Sequence, residues 1–327
     1  MKFLRRKLLR FFLTVLIVSA ITFAMIDLLP GDAAIVFTGP DASVETVAAI
    51  RHEMGLDAPA IVRYFRWIGR AASGDLGVSM VTREPVWDAL VARLPVTLEL
   101  LLFAQLMALS LAIPAAIICA RKPDGAIDRI LTTVGFASLS IPNFVMAILL
   151  VFFFVLRLGW LPATSFAPLS GGLAANVRSL LLPSLSIALV EWVILFRVLR
   201  SDLITTLGED FILMARSKGL RSAQVLFRHA LRPSSLNLLT VIGLQMGHLI
   251  GGALVVETIF ALPGIGRLLV TAIYSRDIFM IQGCALWITL GYVNINLLVD
   301  VLYAVLDPRI RLERANVLRA ETGEGKP

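Results

Sequence analysis

The stretch "EDFILMARSKGLRSAQVLFRHALRP", residues 209–233, carries five arginines and lysines and lies between two long apolar runs. Glu209 and Asp210 precede a short apolar stripe of Phe211, Met214 and Ala215. Acidic residues suit a helix N-terminus, where the free amides and the macrodipole are positive. Lys218 and Gly219 close this first helix, because glycine tolerates the left-handed conformation common just past a helix end. Ser222 is placed to cap a second helix with the stripe Leu226, Phe227, Ala230 and Leu231, and Pro233 fits the first turn of the apolar helix that follows. The segment therefore reads as helix, glycine turn, helix. Alone it fits two settings, an amphipathic linker on anionic headgroups or a surface docked on protein. Two capped helices about a glycine turn, with small residues Ala215, Ser217 and Gly219 beside the bulky ones, favour protein.

The surroundings are those of a bilayer protein. Of 327 residues, 58% are hydrophobic and 16% charged, with a mean hydropathy of +0.85. Soluble chains carry about 25% charged residues. The net charge of +7 does not indicate nucleic acid, because the basic residues gather at the ends of apolar runs. Crossing the hydrocarbon core takes roughly 20 apolar residues, and six segments suit: about 9–29, 96–120, 130–156, 180–200, 233–256 and 278–299. The N-terminal MKFLRRKLLR followed by FFLTVLIVSAITFAM resembles a signal peptide, with Val18-Ser19-Ala20 as a cleavage site. The apolar run continues to Leu29, so an uncleaved first membrane helix is expected. With the N-terminus inside, the inner segments hold 20 lysines and arginines and the outer ones 10. That bias puts both termini and residues 209–233 in the cytoplasm.

The long outer stretch 28–93 reads as short helices on the outer face. Val44, Val47, Ala48 and Met54 form one stripe with Ser43 as N-cap. Ile61, Phe65, Ile68 and Ala72 form another, and Gly74-Asp75-Leu76-Gly77 a turn. Cys119 and Cys284 lie in separate apolar runs and are expected as buried free thiols; no spacing suggests a metal site.

Residues 213–219, LMARSKG, followed by HALRP, resemble the cytoplasmic "EAA" loop of ABC importer permeases. That pattern is Glu-Ala-Ala, three residues, Gly, then nine residues to Ile-x-Leu-Pro. Ala215, Gly219 and Leu231 match; Leu213 and Met214 replace the first two residues, and Pro233 comes one place late. The peptide/nickel branch often reads TARAKG here, which is closer. LLPGD (28–32), RYFRWIGRAASGDLG (63–77), RLPVTLEL (93–100), SIPNF (140–144), LGWLPA (158–163), FALPGIGRLLVTAIYSRD (260–277) and LDPRI (306–310) also look like that branch, in order, over residues 1 to about 311.

The resemblance implies an all-α membrane protein of six transmembrane helices, with the type I ABC importer permease fold. It implies an N-terminal helix plus extracytoplasmic scoop-like region over 1–94, a five-helix permease core over 95–311 and a cytoplasmic tail over 312–327. It implies a multi-pass subunit of a bacterial or archaeal cytoplasmic membrane, a second homologous permease subunit, two ATPase subunits and an extracytoplasmic binding protein. ATP and Mg would be used by the ATPases, with no cofactor on this chain. Residues 209–221 would form the coupling helix, with Asp210, Phe211, Met214, Ala215, Arg216, Lys218, Gly219 and Arg221 facing the ATPase. The cargo implied is di- or oligopeptide, with nickel or another small solute as the alternative within the family.

Other residues stand out on physical grounds. Gly243, Gly247 and Gly251 recur every four residues and suit close helix packing or a pathway wall. Glu191 is a carboxylate in mid-span, costly in a bilayer; it suits a cationic cargo group, an internal partner or a wet cavity. Gln245 and His248 share one helix and suit either an aqueous pathway or interhelical hydrogen bonds. Glu257 and Asp300 are expected to snorkel at an interface, and Pro142 and Pro183 to mark helix starts or kinks. Pro263, Gly264 and Gly266 make a tight outer turn, a candidate outer gate.

Two other classes fit less well. A self-sufficient secondary transporter predicts inverted repeats and several embedded ionisable groups, and the spans hold mainly Glu191. An intramembrane enzyme needs a motif such as HExxH, but His52-Glu53 is followed by Met54-Gly55. There is no GxxxxGK[ST] phosphate loop; Gly325-Lys326 lacks the first glycine and the Ser/Thr. ATP energy has to come from a separate subunit.

Overall fold

A computed structural model describes residues 2–27, 42–53 and 57–306. The motif LLPGD, Met54 of the first outer stripe, LDPRI beyond Leu306, the tail 312–327 and the Asp300 side chain lie outside the described residues. Those residues form helices α1 (Lys2–Asp27), α2 (Val44–Glu53), α3 (Ala60–Ala72), α4 (Val86–Arg121) and α5 (Ala126–Leu139). There follow α6 (Asn143–Arg157), α7 (Leu173–Leu207), α8 (Asp210–Ser217), α9 (Ser222–Ile259), α10 (Ile265–Tyr274) and α11 (Ile278–Leu306). The only extended pairing among them is the bridge Val78–Pro85.

Four of the helices, α4, α7, α9 and α11, are long and apolar enough to cross a membrane, five if α5 and α6 are one bent span. The apolar part of α1, Phe11–Ala24, is shorter. The run expected as one helix over 130–156 is broken, and α5 and α6 meet at 101°. Pro142 causes the break. Its ring excludes the helical conformation for the residue before it, and it begins the next helix instead, its carbonyl accepting the Met146 N–H at 3.0 Å.

α4 and α7 run side by side in one direction. Their first halves share a core, with Leu100, Leu101, Leu180 and Leu182. Their second halves share another, with Ala112, Ala116, Leu199 and Leu203. α9 runs the other way, placing Val225, Leu226 and Ala230 in the second core and Leu249, Ala253 and Val256 in the first. From Ala104 onward the buried face of α4 is Ala104, Ala108, Ala112 and Ala116, while Leu102, Leu106 and Leu111 point outward. Small residues inside let helices approach closely, and in a lipid solvent large apolar residues lose nothing by facing out.

A third core joins α1, α3, α10, α11 and the start of α4. Ser43 caps α2 as expected, its hydroxyl accepting the Thr46 N–H at 3.2 Å. The anticipated stripe on α3 is displaced. Ile61 and Phe65 are exposed, and Tyr64 and Trp67 are buried against Phe23 of α1. The Tyr64 hydroxyl decides this, lying 2.9 Å from Ser19 Oγ and donating to the Leu16 carbonyl at 3.1 Å. Gly74 and Gly77 take positive φ at the expected turn. Beyond it, the Ser79 hydroxyl donates to the buried Asp277 carboxylate, which also caps the start of α11 through the Met280 N–H. Cys119 and Cys284 are buried and free.

Candidate functional site

α8 sits at the end of the bundle where α4 and α7 finish. Glu209 is extended, and its carbonyl receives the Ile212 N–H at 3.0 Å. Ile212 and Ala215 are buried in the same core as Leu199, Leu203, Val225 and Leu226. The sequence stripe Phe211–Met214–Ala215 is thereby divided: Ala215, expected to face an ATPase, turns inward beside Ile212. Phe211, Leu213 and Met214 are exposed at 45%, 59% and 59%, as is Phe227 of α9. Gly219 lies at φ +79° and ends the helix, with its N–H on the Arg216 carbonyl and the Leu220 N–H on that of Ala215. A side chain there would meet open space. Asp210, Arg216, Lys218 and Arg221 are exposed.

The second helix is capped at Arg221 rather than Ser222, with the Gln224 side-chain oxygen accepting the Arg221 N–H. It does not stop before Pro233. It passes through a wide turn at Val225–Ala230 and continues as α9, 38 residues in all. α8 thus shares one core with α4, α7 and α9. The same end is braced by Asp128 of α5, buried, which accepts both the Nε (2.6 Å) and the Nη2 of Arg200 on α7 and the Asp124 N–H at 2.8 Å.

Inside the bundle, the Gln245 Nε2 amide donates to Glu191 Oε2 at 2.7 Å and to the Glu191 carbonyl at 3.2 Å, tying α9 to α7. His248 is exposed, one turn away from that pair. Gly243 and Gly247 face α11: a Cβ at Gly243 would overlap Val299, and one at Gly247 would lie 2.8 Å from the Tyr292 ring. Gly251 does not share this face, since a Cβ there would touch nothing within 4 Å.

The turn 260–266 lies at the opposite end from α8. Glu257, expected to snorkel, is instead completely buried. Its carboxylate accepts the Thr97 hydroxyl at 2.7 Å and the Arg267 N–H at 3.0 Å. Thr97 in turn accepts the Ile265 N–H at 2.9 Å. The carboxylate thus serves as the anionic cap of α10, where the helix dipole stabilises it. Gly264 and Gly266 are needed for close approach: a Cβ on Gly264 would strike the Glu257 carboxyl group, and one on Gly266 would lie 2.5 Å from Leu254 Cα. Pro263 precedes this contact in the turn.

Sequence reasoning singled out the turn but missed its anchor. Thr97 and Glu257 are 160 residues apart, and no spacing rule joins them. The available signal was that Thr97 falls in RLPVTLEL, one of the quoted motifs, with no other role for a buried hydroxyl. Among the described residues no group of three or more His, Cys, Asp or Glu could hold a metal ion.

Long apolar helices with polar groups paired inside them, and an apolar-tipped helix flanked by basic residues packed on one end, are those of a membrane protein. Residues 112–312 match the family "Binding-protein-dependent transport system inner membrane component", and residues 1–101 match the N-terminal family of the same membrane components. A putative peptide transport system permease protein of Brucella abortus (strain 2308) is 41% identical over 298 residues, 91% of this chain and 95% of that one. The glutathione transport system permease protein GsiC of Escherichia coli (strain K12) is 36% identical over 306 residues, 94% and 97% of the two chains. A probable peptide ABC transporter permease protein of Sinorhizobium fredii is 35% identical over 309 residues, 94% and 99%. The chain belongs to the family of binding-protein-dependent transport system inner membrane components. It is a permease of an ABC importer, a transport component and not an enzyme, and systems of this kind imply ATPase and substrate-binding partners.

Proposed function

We propose that this chain imports di- or oligopeptides as one of two homologous permease subunits, forming half of the translocation pathway. The observation that carries the reading is its likeness to peptide permeases along nearly the whole chain. It crosses the membrane six times, α1 included, with both termini and α8 in the cytoplasm, as the arginine and lysine distribution requires. Residues 1–94 supply the extra helix and an extracytoplasmic helical region, 95–311 the permease core, and 312–327 a cytoplasmic tail.

Residues 209–221 seat in an ATPase subunit, one ATPase under each permease. Phe211 and Met214 fill its apolar groove, flanked by Asp210, Arg216, Lys218 and Arg221. Ala215 and Gly219 shape the helix and its end. Burial of Ile212 and Ala215 in the core shared by α4, α7 and α9 supports transmission of ATPase closure to those helices, a bistable element biased by ATP at another site. Gly243 and Gly247 bring α9 and α11 together, and Gly251, unoccupied in this chain, meets the second permease. Pro263, Gly264 and Gly266 form an extracytoplasmic gate locked by Glu257. Glu191, Gln245 and His248 face the pathway.

Co-purification tests the docking. Tagged wild-type chain, expressed with its cognate ATPases and second permease, retains the ATPases through size exclusion. The Phe211→Asp/Met214→Asp double variant retains the second permease and loses the ATPases. Full ATPase retention by that variant overturns the assignment.

A further inference from the structure

We propose that Glu191 and Gln245 form a cation-recognition subsite on the translocation pathway, taking a protonated amine such as the free amino terminus of a peptide. The inference rests on the reading of this chain as half of that pathway.

The pair is rich in acceptors and short of donors. Gln245 gives its Nε2 hydrogens to Glu191, at Oε2 and at the backbone carbonyl. Its own Oε1 is buried with no partner, in a residue only 5% exposed. That oxygen shares a carbon with the nitrogen that binds Glu191, so it lies beside the carboxylate. Among the described residues Glu191 Oε1 accepts no hydrogen bond and no cation lies within ion-pair distance of the carboxyl group. A buried orphan amide oxygen and a carboxyl group with no cation beside it therefore sit together in the middle of two spans.

A carboxylate at that depth is costly unless paired or wet, and an orphan amide oxygen adds a further penalty. If the pair served only to tie α7 to α9, a neutral acceptor at 191 would suffice, and both oxygens would be expected to close on donors. An ammonium group offers three N–H donors and a full charge. It can bridge the carboxylate and the Gln245 oxygen at once, which neither an anion nor a neutral carbonyl can do. The site is also reachable. Ile194, one turn along α7 from Glu191, and His248, one turn along α9 from Gln245, are both exposed. The pair lies beside an open surface of the chain, where a pathway shared with a second permease would run.

The test uses the complete complex in proteoliposomes, with Cys119 and Cys284 replaced by Ala and a single reporter, Ile194→Cys or His248→Cys. The probes are the methanethiosulfonates bearing an ethylammonium or an ethylsulfonate, each normalised to its rate with a free thiol. The cationic probe is expected to modify the reporter faster than the anionic one, on the order of tenfold, as a cleft of one charge sign concentrates the opposite sign. Glu191→Gln, which keeps the bond to Gln245 and loses the charge, should bring the two rates together. If both probes react and Glu191→Gln leaves their ratio unchanged, the pathway reading stands and the cation site is wrong; a fixed cation from the second permease would give this result. If neither probe reacts at either reporter with or without ATP, the pathway reading itself fails.

Discussion

Thr97→Val isolates the anchor of the 260–266 turn. Valine has nearly the shape of threonine, so packing is retained and two hydrogen bonds are lost. Glu257 loses its 2.7 Å donor, and the Ile265 N–H loses its 2.9 Å acceptor. Both groups are buried, so water does not replace what is removed. A bond to a charged acceptor contributes about 1.5–3 kcal/mol, and an orphaned buried donor costs about 1–3 kcal/mol. The sum is about 2.5–6 kcal/mol. At about 2–4 °C per kcal/mol for a domain of 150–250 residues, the unfolding midpoint should fall by roughly 5 °C or more. The assay is tryptophan fluorescence of the detergent-solubilised chain at one fixed heating rate, since membrane proteins commonly unfold irreversibly. Trp87 and Trp287 report locally: they stack edge to face at 5.4 Å and line the same cavity of about 430 Å³ as Thr97, Ile265 and Gly266. Thr97→Ser, which keeps the hydroxyl, is the reference. A valine variant that melts within 1–2 °C of the serine variant, roughly half a kcal/mol on the same scale, refutes the claim that Glu257 depends on Thr97.

Gly219→Asp strains the helix end at φ +79° although its Cβ meets open space; it should leave membrane insertion intact and abolish cargo uptake, and uptake equal to wild type removes residues 209–221 as the coupling element. Gly243→Val should disrupt the α9–α11 contact through Val299, whereas Gly251→Ala should leave the isolated chain as stable as wild type or slightly more so; equal melting of the two variants would contradict that packing. Arg200→Met strands the buried Asp128 carboxylate and should cost about 3–5 kcal/mol. Adding Asp128→Asn should recover most of that loss, and a double variant no more stable than the single one would show that the pair does not brace the bundle.

What the sequence revealed and what it hid divide along physical lines. Apolar run length located the spans, because crossing a bilayer requires length. Gly219, Ser43 and Pro142 announced their roles through backbone chemistry that is local to the residue. Stripe direction was misread on α3, where Phe65 points outward and Tyr64 inward, and on α8 Ala215 turns into the core beside Ile212 while Phe211 and Met214 stay outside. Periodicity finds an apolar face but does not say whether lipid, a partner or the core covers it, and from Ala104 onward in α4 the core takes the alanines. Glu257 with Thr97, and Asp277 with Ser79, were invisible because they join residues 160 and 198 positions apart. Glu191 stood out as an anomaly, and its pairing with Gln245 emerged only from the crossing of α7 and α9.

On this reading the chain moves cargo only when ATPases drive it. The direct measurement is cargo uptake into proteoliposomes containing this chain, its second permease and the cognate ATPases, with the binding protein outside and ATP inside. Uptake should require ATP and the binding protein, and should vanish when the ATPases are omitted, even with a proton or sodium gradient imposed. Gradient-driven uptake by this chain without ATPases would contradict the account.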